Sequence, residues 1–150
     1  PECLGLGGAA GQVLAALAPE LAELDIVCRQ DYSRATAAVE EDPHLLAQVL
    51  TAMIRHAAAY TPKGGAIELS AWSDETFSRL SVAYPEATPS SEPERLFLPF
   101  EQRDSTQGLA LARRLAQEMG ASLGYAHDAG RAVFTLALPL FPHCHRPAGS

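Results

Sequence analysis

One stretch constrains this chain more than any other: residues 42–65, which read D-P-H-L-L-A-Q-V-L-T-A-M-I-R-H-A-A-A-Y-T-P-K-G-G. Asp42 is of the type that caps helix N-termini, because its carboxylate can accept from the free N–H groups of the first turn. Pro43 then stands at the first helical position, where a missing N–H costs nothing and the fixed φ is already helical. Leu45, Leu46, Val49, Leu50, Met53, Ile54 and Ala57 recur at helical spacing and make a wide apolar face. Each large one contributes roughly 1.5–3 kcal/mol when fully buried. Thr61-Pro62 ends the run, since proline disfavours helical geometry in the residue before it, and Lys63-Gly64-Gly65 supplies a tight turn. The segment is expected to be the central helix of the domain.

The flanking sequence supplies strands for that helix to cover. Residues 1–8 (P-E-C-L-G-L-G-G) read as a glycine-rich linker; the lone G-L-G-G has no legible strand before it and no Lys-Ser/Thr after it, so it is not read as a phosphate loop. Val13, Leu14, Leu17 and Leu21 predict a first helix over residues 9–23, kinked or shortened at Pro19. Residues 25–30 predict a strand and 36–40 its antiparallel partner, joined by a polar turn at 31–34. Residues 66–72 and 77–83 alternate as two further strands that bury Ile67, Leu69 and Ala71, then Leu80 and Val82. Residues 84–94 read as loop, 96–100 as an apolar knot and 101–107 as a polar, mobile segment. A last helix is expected over 108–119, ending at Gly120. A hairpin, 122–126 with 133–138, follows it and turns through Asp128-Ala129-Gly130. A helix and two strands, three times over, imply a two-layer α/β sandwich, a mixed and mostly antiparallel sheet covered by three helices. The domain is expected to span 9–140, with a flexible tail at 141–150.

Composition removes several function classes. A length of 150 residues suits one domain with a proper core. A formal charge of −7 argues against nucleic acid or an anionic membrane as partner. No stretch approaches the ~20 apolar residues of a membrane span, and none resembles a signal peptide. Cys3, Cys28 and Cys144 are odd in number and widely spaced, which argues against a disulfide framework and for a reducing compartment, so a cytoplasmic location is expected. His143-Cys144-His145 are adjacent, with no fourth ligand at metal-site spacing, and no metal site is expected there. Arg55 and the Arg113-Arg114 pair read as solvated helix residues. No G-x-S-x-G elbow suggests a hydrolase.

The 42–65 stretch resembles the N-box helix of the GHKL ATPases, specifically of the catalytic ATP-binding domain of sensor histidine kinases, whose pattern runs approximately D-x-x-x-L-x-Q-V-L-x-N-L-x-x-N-A-x-K-Y-T-P-x-G-G. Leu96-Phe97-Leu98-Pro99-Phe100-Glu101 is similar to the family's I-F-x-P-F segment, and Gly108-Leu109-Ala110 to the close of its glycine box. Gly120 and F-T-L-A-L-P-L at 134–140 resemble the G-G and F-x-x-x-L-P-L that finish the fold. The likeness covers nearly the whole chain in the family's order.

Position by position, the resemblance implies a pocket without its nucleotide-binding groups. The two N-box asparagines, the second of which holds Mg²⁺, fall on Ala52 and His56, and the phosphate-binding lysine falls on Ala59. Counting back from Phe97 puts the adenine-reading aspartate on Ala83 and the two glycines after it on Pro85 and Ala87. In the later glycine box the first two glycines fall on Asp104 and Thr106, leaving Gly108. An aspartate-to-adenine hydrogen bond alone is worth ~1.5–3 kcal/mol, and an imidazole is a poor substitute for an amide oxygen on Mg²⁺. The expectation is therefore a histidine-kinase-like domain of two-component signalling that binds neither ATP nor Mg²⁺, carries no catalytic residue and works through protein contacts. Those partners would be dimerisation and phosphotransfer helices, or a response regulator receiver domain. Neither His44 nor His56 lies where a phosphoacceptor would. The alternative is the ATP-binding domain of an active kinase with an atypical pocket.

Overall fold

The computed structural model describes residues 2–35, 38–97 and 108–140. Strand β1 (Glu2–Gly5) leads into helix α1 (Leu6–Glu23); then come β2 (Val27–Arg34), β3 (Ala38–Glu41), helix α2 (Pro43–Tyr60), β4 (Ala66–Ser73) and β5 (Phe77–Pro85). A short 3-10 helix (Pro93–Phe97), helix α3 (Gly108–Glu118) and the hairpin β6 (Ser122–Asp128) and β7 (Arg131–Pro139) are the remaining elements among the described residues. The larger sheet has the order β2-β4-β5-β7-β6, in which only β2 and β4 are parallel, and β1 pairs with β3 in a separate two-stranded sheet. The expected sandwich of three helices on a mixed, mostly antiparallel sheet is the fold observed.

Three local readings change. Residues 2–8 are not linker: 2–5 are β1 and α1 starts at Leu6, which is wholly buried. Pro19 lies inside α1 without ending it, while Leu17 and Leu21 on either side are buried in the core. The strands after α1 do not form a hairpin. The polar residues 31–34 continue β2, which crosses over through α2 to lie parallel to β4, as a parallel pair requires; β3 instead takes β1 as its antiparallel partner. Cys28 is a free, half-buried thiol, whereas Cys3 is disulfide-bonded, against the expectation from cysteine spacing. The segment 101–107 and the residues Asp104, Thr106, His143, Cys144 and His145 lie outside the described residues.

Helix α2 forms as its sequence dictates. Asp42 accepts the His44 N–H at 2.8 Å, and the Thr61 hydroxyl donates to the Ala57 carbonyl at 2.6 Å where the helix ends. Beyond it, the Gly65 N–H closes a β-turn onto the Pro62 carbonyl at 2.9 Å. Gly64 takes the left-handed third position at φ +85°, and a Cβ on Gly65 would stand 2.9 Å from the Pro62 carbonyl oxygen. Leu46, Leu50, Met53 and Ile54 are essentially fully buried in a core shared with Ile67, Leu69, Leu80, Leu136 and Leu138 of the sheet.

Candidate functional site

Pairing register decides which side chains can meet α2. Directly paired residues share a face of a sheet, and Leu69↔Val82, Val82↔Phe134 and Phe134↔Tyr125 define the face that carries the core. Tyr84, two residues beyond Val82, is on that face. Ala83 is paired with Glu68 and Val133 on the other one. The position obtained by counting along the sequence is therefore one residue away from the side chain that faces the helix layer.

At the C-terminal end of α2 the inward residue is His56, 3% exposed. Its Nε2 is 2.9 Å from the Tyr84 hydroxyl. Rings surround it: Tyr60 at 4.8 Å, Phe134 at 5.1 Å and Tyr84 at 5.5 Å between centroids. Tyr84 in turn stacks on Phe134 with an interplanar angle of 6°, and Phe97 and Tyr125 close on Phe134 from other sides. Burial in this apolar shell pushes the His56 imidazole down to about 4 and raises the Tyr84 phenol, because both charged forms would be stripped of water. His56 is thus a neutral ring at physiological pH. Its Nδ1 is buried and has no hydrogen-bond partner among the described residues.

The chain leaving β5 is fastened beside this cluster. The Glu86 carboxylate accepts from the Tyr125 hydroxyl and lies 2.9 Å from His127 Nδ1. The Ser90 N–H donates to the Tyr125 oxygen at 3.0 Å, and the Glu86 N–H to the Gly130 carbonyl at 2.9 Å.

The remaining candidates are dispersed. Ala52 and Gly108, the first residue of α3, line an open groove of about 550 Å³ between α2 and α3, together with His44, Gln48, Arg55 and Leu111. Ala59, Pro85 and Ala87 are exposed and do not line that groove. Arg55 is exposed, as expected of a solvated helix residue, and makes two hydrogen bonds to the equally exposed Glu20 of α1, at 2.6 and 3.1 Å. Arg113 lies over the Phe97 ring, 4.2 Å from its centroid, while Arg114 is exposed. No three His, Cys, Asp or Glu side chains among the described residues converge as a ligand set for a metal. Sequence reasoning missed Tyr84, Phe134 and Tyr125 as site residues. The alternation that buries Leu80 and Val82 carried the signal for Tyr84.

The model of the histidine kinase-, DNA gyrase B- and HSP90-like ATPases matches residues 41–142, more than half of the chain, and the chain belongs to that family. Within it, the fold is that of sensor histidine kinase catalytic domains. The catalytic domain of histidine kinase ThkA superposes with a TM-score of 0.81 at 22% identity, over 94% of this chain and 97% of that one. The mycobacterial sensor histidine kinase MprB gives 0.78 at 20% identity, over 94% and 98%. Full-length ShkA, solved in complex with AMPPNP, gives 0.80 at 26% identity, over 92% of this chain and 30% of that one. No curated protein matches the chain.

Proposed function

We propose that this is a histidine-kinase-type domain of two-component signalling that does not bind Mg-ATP in the family's manner and acts by contact with other proteins. The observation that carries the reading is the closure of the site by the His56–Tyr84 pair and its aromatic shell. The residues present do not fit the family's ligands. Mg²⁺ takes oxygen donors, whereas position 56 offers an imidazole whose Nε2 is already engaged by Tyr84. Ala52 and Ala59 bring no donor, and the helix-facing residue at the end of β5 is a buried tyrosine rather than a carboxylate.

The partners that suit such a domain are the helices of a dimerisation and phosphotransfer segment, or a receiver domain. ThkA has been solved in complex with the response regulator TrrA, and this chain covers 42% of that ThkA chain at 21% identity. No helix among the described residues is long and apolar enough to cross a membrane. A second reading, an active kinase domain with an atypical pocket, draws on the groove at Ala52 and Gly108 and on the AMPPNP complex of ShkA. Calorimetric titration with Mg-ATP separates the two. The first predicts no saturable binding up to millimolar nucleotide, and a Kd tighter than ~100 μM, about −5.5 kcal/mol, would overturn it.

A further inference from the structure

We propose that Tyr84 is a built-in occupant of the site, its phenol ring filling the room of a planar ligand and its hydroxyl holding the His56 ring, so that the pocket is shut from within. The inference rests on the preceding reading and adds a cause to it: the site is filled, and is not merely short of binding groups. Three observations carry it. The Tyr84 ring is 4% exposed and is enclosed as a ligand ring would be, stacked on Phe134 at 6.2 Å, stacked with the half-exposed Tyr60 at 6.4 Å and met edge-on by His56. Its hydroxyl is the hydrogen-bond partner of a buried His56 that has none on its other nitrogen among the described residues. The backbone next to it is anchored, because Glu86 ties the chain to β6 through Tyr125 and His127 and to the β6-β7 turn through the Gly130 carbonyl. Withdrawing the ring would therefore break the clamp as well as the stack. Restoring polar groups at 52 and 59 alone would leave the room occupied.

The test uses Tyr84→Gly with phenol as the probe, since an apolar cavity that stays open takes up a small aromatic molecule. The melting temperature of a folded Y84G protein should rise by about 4–5 °C at ten times the phenol Kd, with no such rise in the wild type or in Tyr84→Phe, whose ring remains. The ¹⁵N shift of His56 Nε2 should also change from wild type to Y84F as its hydrogen bond is lost. A folded Y84G protein unmoved by phenol overturns the proposal. So does an identical His56 Nε2 shift in wild type and Y84F, and that comparison decides the matter if Y84G does not fold. Mg-ATP binding by the wild type would sink both readings, because a pocket shut by Tyr84 admits no nucleotide. No phenol rescue and no Mg-ATP binding would overturn the occupant alone and leave the loss of nucleotide binding standing.

Discussion

His56 couples the aromatic cluster to pH. Burial pushes the imidazole down to about 4 in the folded protein, against 6.5 for the free group, so between those values the unfolded chain binds more protons than the folded one. Stability is complete above pH 6.5 and falls as pH drops toward 4, by roughly 3 kcal/mol at most. Urea unfolding at pH 7 and pH 5 should show this slope, and His56→Leu should flatten it. The same pair allows a double-mutant cycle. Tyr84→Phe leaves an orphaned nitrogen and His56→Leu an orphaned hydroxyl, each costing about 1–3 kcal/mol, whereas removing both polar groups together costs less than the sum. A coupling of about 1 kcal/mol or more is expected. Additive single costs would mean that the 2.9 Å contact contributes nothing.

At the scale of elements, α2 was legible from end to end because each of its signals is local. The Asp42 cap, Pro43, the apolar spacing and the Gly64-Gly65 turn all act within a few residues of where they are written. Asp42→Ala should cost about 1 kcal/mol by removing the bond to the His44 N–H. Gly64→Ala should cost about 1–2 kcal/mol because of its positive φ. Thermal unfolding of both variants checks these values. The β2-β3 region was misread for the opposite reason. Two short polar strands beside a turn-like stretch fit a hairpin locally, and only the crossover through α2 reveals that β2 belongs next to β4. Counting from a motif ignores pleat parity, and the pairing Glu68↔Ala83 puts Ala83 on the face of the sheet opposite Tyr84.

At the scale of the molecule, the fold was readable because apolar periodicity and turn residues repeat across the whole chain, and the family match from 41 to 142 agrees with it. The site was only partly readable. The alanines at 52 and 59 are visible in the sequence, but the rings that gather from α2, β5, β6, β7 and the 3-10 helix meet only once the sheet is assembled. That assembly joins His56 of α2 to Tyr84 of β5 in a buried hydrogen bond, and this contact is what supports the proposed function. Isothermal titration of the wild-type domain with Mg-ATP tests this most directly. The account predicts a featureless titration up to millimolar nucleotide; saturable binding with a Kd below ~100 μM would contradict it.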